Sequence, residues 1–300
     1  MPRNAEESVL DPAHLQRIED FSLLAQVVVN GGLPGIHRSM RQGRGTEFFQ
    51  YRPYEHGEDL KVVDWKIFAK RNELVAKTFQ EDTNFTLFLV IDASGSMGYQ
   101  GSRGSCSKLR YASMLAACFA YLGNRQGDRV GLFAYGEEVQ QWIRPATGSG
   151  HLNRILRAMA SIKPLGKNQH VRAWEQLSSF LTGRSMIVFL SDFLEAEVEL
   201  TERLRFSSSA HYDSLCLQVL DRDEVDLPKM EALRFAEMEG DREVSASPDE
   251  IRIEYQREME KFQENLKGEL MTIGAEFEVL FTDQDLGYAL RRFLGMRFRS

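Results

Sequence analysis

The sequence predicts an α/β fold built on a doubly wound, mostly parallel sheet, and three observations predict it. Two apolar runs, Phe85-Thr86-Leu87-Phe88-Leu89-Val90-Ile91 and Ser185-Met186-Ile187-Val188-Phe189-Leu190, lack the polar alternation of a half-exposed strand. Such runs mark strands covered on both faces. From about residue 85 onward strand and helix patterns alternate, the rhythm of an open sheet with crossover helices. Each run leads into an aspartate, Asp92 or Asp192, at the carboxyl edge where such sheets bind ligands.

The elements follow in order. Asp11-Pro12 supplies an N-cap and a first-turn proline for a helix from about Pro12 to Val29, with Leu15, Ile18, Phe21, Leu24 and Val28 on one face and Asn30-Gly31-Gly32 as its stop. Arginines, glycines and aromatics then alternate between Arg41 and Tyr54, which suits a loop leading into a short strand. A short helix is expected over Asp64 to Arg71. Beyond the Phe85 to Ile91 strand come a Gly/Ser loop (Gly95 to Ser107), a helix (Lys108 to Gly123), strands at Arg129 to Tyr135 and Val139 to Ile143, and helices near Gly150 to Ser161 and Val171 to Leu181. Strands follow at Ser185 to Leu190 and Ser214 to Leu220, then a hairpin of Leu233 to Glu239 with Arg242 to Val244 across Gly240-Asp241. Ser247-Pro248 opens a helix with Ile251, Tyr255, Met259, Phe262 and Leu266 in one stripe; Glu276 to Phe281 is the last strand and Leu286 to Met296 the last helix.

With 300 residues, 43% of them hydrophobic and 27% charged, the chain can bury one large core and carry an accessory module. A net charge of −7 argues against nucleic-acid binding through bulk positive charge. Cys106, Cys118 and Cys216 are far apart, without zinc spacing, and read as reduced thiols in the cytoplasm. The first residues, Met1-Pro2-Arg3-Asn4-Ala5-Glu6-Glu7, are not those of a signal peptide, and the longest apolar stretches fall short of a bilayer span, so no direct membrane insertion is expected.

Asp92-Ala93-Ser94-Gly95-Ser96 stands where a buried strand gives way to a turn. Alternate side chains there can converge on one point outside the sheet, and Asp192 reaches the same edge from the second strand. One carboxylate with two neutral hydroxyls is a hard, oxygen-only donor set suited to Mg²⁺ or Mn²⁺, and it leaves the ion under-neutralised. A carboxylate from a partner protein would complete it. The competing reading is ordinary loop chemistry, since short serine-rich turns are common.

Further stretches carry a resemblance: Gly43-Arg44-Gly45-Thr46-Glu47-Phe48, Arg52-Pro53-Tyr54-Glu55-His56-Gly57-Glu58-Asp59, Val63-Asp64-Trp65-Lys66, Ala69-Lys70-Arg71, Asp92 to Met97, and Leu190-Ser191-Asp192-Phe193. With these, the sequence resembles, over nearly its whole length, the bacterial family catalogued as domain of unknown function 58, which contains a von Willebrand factor A-like domain. The resemblance implies an accessory segment over 1–83, and over 84–300 a von Willebrand factor A-like domain with a hairpin insertion near 230–246. It further implies a metal-ion-dependent adhesion site on Asp92, Ser94, Ser96 and Asp192. A partnership with a MoxR-type AAA+ ATPase in assembly or chaperone-like work is also implied. Sites of this kind add a threonine from an intervening loop, but Gly166-Lys167-Asn168-Gln169-His170-Val171 has none. Thr147, in Ala146-Thr147-Gly148-Ser149-Gly150, fits the wrong loop, and Asn168 or Gln169 offers an amide oxygen instead.

Arg38, Arg41, Arg44 and Arg52 with Glu47, Glu58, Asp59 and Asp64, near Trp65 and Lys66, form a charge-dense block. It reads either as a salt-bridged clasp or as a docking surface whose candidates are Arg44, Glu47, Arg52, Asp59, Asp64, Trp65 and Lys66. Tyr99 to Ser107, beside the metal candidate, reads as a contact loop or a plain flexible connection. A serine hydrolase is disfavoured because Ser94-Gly95-Ser96-Met97-Gly98 lacks the first glycine of the nucleophile elbow. No nucleotide loop of the Gly-x-x-x-x-Gly-Lys-Ser/Thr type is present, so any ATPase activity belongs to a partner. The expectation is a non-enzymatic, metal-dependent adaptor, with a metal-dependent hydrolase using Asp92 and Asp192 as the alternative.

Overall fold

The N-terminal apolar stripe folds as two helices rather than the single one expected: α1 (Pro12–Leu15) and α2 (Phe21–Gly32). Two causes account for the break, one local and one at long range. Asp20 caps α2, its Oδ1 accepting from Ser22 N–H at 2.7 Å. The carbonyls of Gln16 and Ile18, freed from helical bonding, accept from the Arg110 guanidinium, which also lies 4.5 Å from the centre of the Phe21 ring. The computed structural model describes residues 12–32, 47–54, 63–80, 85–167, 169–178, 180–181, 185–194, 212–228, 233–236, 243–246 and 248–297. It separates into two units, 1–32 with 85–300, and 33–84. The N-terminal helices, grouped by sequence with the accessory segment, thus belong with the large sheet, through the Arg110 contacts and the packing of α2.

In the smaller unit β1 (Glu47–Pro53) pairs antiparallel with β2 (Val75–Gln80), a strand the sequence reading leaves unassigned. Between them lies α3 (Trp65–Arg71), as expected. Its cap is Asp64, which is buried and accepts from Lys66 N–H (2.9 Å), Ile67 N–H (3.3 Å) and Tyr51 Oη (3.0 Å). Asn72 closes the helix in the left-handed region at φ 55°.

The larger unit is built on β3 (Thr86–Asp92), β4 (Arg129–Tyr135), β5 (Val139–Ala146), β6 (Ser185–Ser191), β7 (Tyr212–Leu220) and, after the short hairpin β8 (Leu233–Ala236) and β9 (Glu243–Ala246), β10 (Glu276–Phe281). The order across the sheet is β10-β7-β6-β3-β4-β5, all parallel except the edge strand β5. Every residue of β3 and β6 is buried, as their uninterrupted apolar runs require. The chain starts in the middle, at β3, moves outward through β4 and β5, and returns to β6 on the other side of β3. The strand order therefore reverses between β3 and β6, which makes their carboxyl ends the switch-point crevice of the sheet.

Helices cover both faces. α4 (Lys108–Arg125) is buried along nearly its whole length, and its Phe119 ring meets Phe293 of the C-terminal helix at 4.4 Å. In chain order the others are α5 (Ser149–Ser161), α6 (His170–Ser178), α7 (Arg222–Val225), α8 (Pro248–Thr272) and α9 (Leu286–Arg297). On the opposite face Trp174 and Leu177 of α6 and Leu266 and Leu270 of α8 pack on Phe88, Val90, Phe133, Ile187 and Phe189. Alternate residues of each central strand supply the two faces, so the same strands hold both layers and fix the edge on which Asp92 and Asp192 stand. This is the von Willebrand factor A-like architecture expected.

Candidate functional site at the strand switch point

Asp92 ends β3 and is fully buried. Its Oδ2 accepts from Ser191 Oγ at 2.6 Å and its Oδ1 from Ser94 N–H at 2.9 Å. The serine that ends β6 thus ties one strand end to the other. Ser94 Oγ lies 3.1 Å from Ser96 Oγ, and Ser96 in turn hydrogen-bonds Asp192. The four residues singled out by sequence are thereby joined in one oxygen-rich cluster, buried except for the half-buried Ser96. A 3₁₀ turn, Gly95–Gly98, carries the second serine.

Asp192 is set by its neighbours as firmly as Asp92. Phe193, just after it, adopts φ 53°, a conformation costing an aromatic residue on the order of 1 kcal/mol. The peptide is held there by Phe193 N–H donating to Ser191 Oγ (3.0 Å), Leu194 N–H to Asp192 Oδ1 (3.2 Å), and the Gln218 side-chain amide to the Asp192 carbonyl (2.7 Å). These bonds turn the carboxylate back toward the β3 end.

The sequence reading missed Lys108, the first residue of α4. Its side chain is buried and its Nζ sits 2.8 Å from Asp192 Oδ2 and 2.5 Å from Glu224 Oε1. Burial disfavours the Lys108 charge, but the two carboxylates outweigh it and hold the ammonium above its ordinary range. Burial likewise raises Asp192, yet the Lys108 charge and the bonds from Lys108, Ser96 and Leu194 hold it below the carboxylate range. Asp92 shifts the other way. Burial first, then the Asp192 charge, push its carboxyl up to about 7. Glu224 is also raised, by burial.

The loop from 162 to 167 lies over the serine turn: Leu165 N–H donates to Ala93 O (2.9 Å) and Gly95 N–H to Gly166 O (2.8 Å). Gly136 permits this approach, since a Cβ there would stand 2.7 Å from Leu165 O. Leu165 itself projects outward, 72% exposed. Behind the loop His170 is buried with its Nδ1 2.5 Å from Tyr135 Oη and its ring stacked on Phe193. Burial takes its pKa down to about 4, so it is neutral. Thr147 stands away from the site, as its loop suggests: it follows Ala146, which pairs with Val130 at the start of β4, whereas Asp92 pairs with Tyr135 at its end. A strand length of about 17 Å separates them. Asn168 lies outside the described residues.

The Gly/Ser loop between Tyr99 and Ser107 is pinned rather than free. Gly101 N–H donates to Asp221 Oδ2 (3.0 Å), and Ser102 N–H and Oγ donate to Asp223 Oδ2 (2.6 and 2.7 Å). Arg103 donates to Asp223, Asp226 and the Arg222 and Asp226 carbonyls. The clasp is the Asp221-Arg222-Asp223-Glu224 segment that follows β7, with Asp221 and Glu224 forming a capping box on α7. Asp221, like Asp92 and Asp192, comes directly after a buried strand of the parallel sheet, so the strand-end rule applied to the first two points to this group as well.

The charge-dense block of the smaller unit divides differently. Asp64 caps α3, so its carboxylate is committed to the fold; Trp65 is 53% exposed, and Lys66 is exposed beside it. Arg52 Nη1 donates to the Pro53 carbonyl (3.2 Å). Arg44 and Asp59 lie outside the described residues, as does the side chain of Glu47.

Uncharacterised proteins of Mycobacterium tuberculosis and Mycobacterium bovis are each 26% identical over 295 residues, covering 97% of this chain and 92% of theirs. Similar solved structures include the conserved hypothetical protein BatB from Bacteroides thetaiotaomicron (14% identity, 72% of this chain and 100% of that chain, TM-score 0.48). Another is a von Willebrand factor type A protein from Catenulispora acidiphila (16% identity, 49% and 35%, TM-score 0.36). The family described as Protein of unknown function DUF58 matches residues 50–265, and the chain belongs to it.

Proposed function

We propose that this protein is a metal-dependent protein-binding adaptor, taking Mg²⁺ or Mn²⁺ at Asp92, Ser94 and Ser96, with Asp192 behind them. The observation that carries the reading is a charge imbalance. Lys108 is shared by Asp192 and Glu224, and the buried Asp92 carboxyl lies close enough to Asp192 to be raised by its charge; ionised, these carboxylates crowd negative charges together in a buried place. A divalent cation has the charge to offset them. Among the described residues no group of three or more His, Cys, Asp or Glu is gathered for a metal, so an ion here would depend on the serine hydroxyls as well, and hydroxyl and carboxylate oxygens suit Mg²⁺. The ion would supply electrostatic attraction for a carboxylate from another protein. Leu165, exposed on the covering loop, offers that partner an apolar contact beside the polar one.

The kind of partner follows from family resemblance: a MoxR-type AAA+ ATPase engaged in assembly or chaperone-like work. Affinity capture from the native lysate tests the reading with wild type in Mg²⁺, wild type in EDTA, and Asp92→Ala. An ATPase held only by wild type with Mg²⁺ supports it. Equal capture in all three removes the metal from the binding mechanism, and a hydrolytic turnover lost in Asp92→Ala would replace the adaptor by a metal-dependent hydrolase.

A further inference from the structure

The two strand-end carboxylates are not equivalent, and the difference is Lys108. Asp192 accepts from the Lys108 ammonium on Oδ2 (2.8 Å), from Leu194 N–H on Oδ1 (3.2 Å) and from Ser96. Asp92 accepts from the neutral donors Ser191 Oγ and Ser94 N–H. Lys108 is itself fixed: Glu224 Oε1 lies 2.5 Å away on its other side, and Glu224 Oε2 accepts from Asp221 N–H (2.8 Å) at the pinned α7 turn. A buried ammonium held between two carboxylates does not swing away without leaving both unpaired.

We propose that Lys108 is a positioning residue, a tethered cation that neutralises Asp192 and keeps it from binding a divalent ion directly. This rests on the metal reading above and says what kind of metal site it is. Were Asp192 free, two protein carboxylates would neutralise the ion and weaken its pull on a third. With Lys108 on Asp192, an ion at Asp92, Ser94 and Ser96 is less neutralised than it would be beside an unpaired Asp192 and keeps a stronger pull on an outside carboxylate. Lys108 thus lowers the affinity for metal and raises the affinity of the loaded site for an acidic partner.

The two effects have opposite signs, which a merely structural role cannot produce. Calorimetric titration with Mn²⁺, then of the Mn²⁺-loaded protein with acetate, is compared between wild type and Lys108→Met. Folded Lys108→Met is expected to bind Mn²⁺ about tenfold or more tightly than wild type, because a positive charge close to the ion is gone, and to bind acetate more weakly. Lys108→Gln, which still donates to Asp192, is carried alongside, with the Mn²⁺-induced rise in Tm as a readout for a destabilised variant. Equal or weaker Mn²⁺ binding by both variants, or unchanged acetate binding, overturns the role of Lys108. Absence of Mn²⁺ binding by wild type overturns the metal reading instead.

Discussion

At the scale of single residues, the site is a set of buried polar groups whose protonation opposes one another. Asp92 has its pKa raised to about 7 from the ordinary 3.8 by burial and the Asp192 charge. The folded protein therefore binds its proton more readily than the unfolded chain, and the associated stability is full below about pH 4 and lost as pH rises through 7. His170, taken down to about 4 from 6.5 by burial, acts oppositely: its stability is present above pH 6.5 and lost as pH falls toward 4. In EDTA the two slopes offset each other between pH 4 and 6.5. Asp92→Asn is expected to expose the histidine slope, with Tm falling on acidification through this window, and to be more stable than wild type at pH 8. Thermal unfolding from pH 4 to 8 checks this; an Asp92→Asn profile parallel to wild type contradicts it. Ser191→Ala, which removes the donor to Asp92 and the acceptor for Phe193 N–H, is expected to cost about 1 to 3 kcal/mol, read by urea unfolding.

At the scale of elements, the Tyr99 to Ser107 loop and the turn after β7 form one clasp. A Cβ at Gly104 would stand 2.1 Å from Asp221 Oδ2 and 3.0 Å from Thr282 Oγ1, while Thr282 Oγ1 itself donates to that carboxylate at 3.1 Å. Gly104→Ala is therefore expected to lift the loop off Asp221 and speed hydrogen exchange at the Gly101 and Ser102 amides, with little change in the exchange of β3 and β6. Unchanged exchange at those two amides would count against the clasp. The loop's glycines and serines advertise freedom in sequence; its fixation depends on acids about 120 residues away, which local composition cannot reveal. The split of the first helix is hidden for the same reason: Ile18 keeps the apolar period, and the carbonyl contacts to Arg110 that break the helix are made at long range. By contrast β3, β6 and β10, and the short helix α3, are fixed by local patterns and stand where those patterns put them.

At the scale of the whole molecule, reversal of strand order between β3 and β6 converges two carboxylates that lie 100 residues apart in sequence. Their convergence was legible because each follows a fully buried strand, and strand ends in a parallel sheet share one edge. Lys108 was not, because a lysine opening a helix looks like a solvated residue until the fold buries it against Asp192 and Glu224. Thr147 stands at the opposite edge because β5 runs antiparallel to β4 and carries the chain back to the start of that strand. The central claim is that this crevice holds one divalent cation. Calorimetric titration of Mn²⁺, in competition with Mg²⁺, into wild type and Asp92→Ala is the most direct measurement. One ion per chain in wild type, displaced by Mg²⁺ and lost in Asp92→Ala, is the predicted result; no binding by wild type, or equal binding by folded Asp92→Ala, would contradict it.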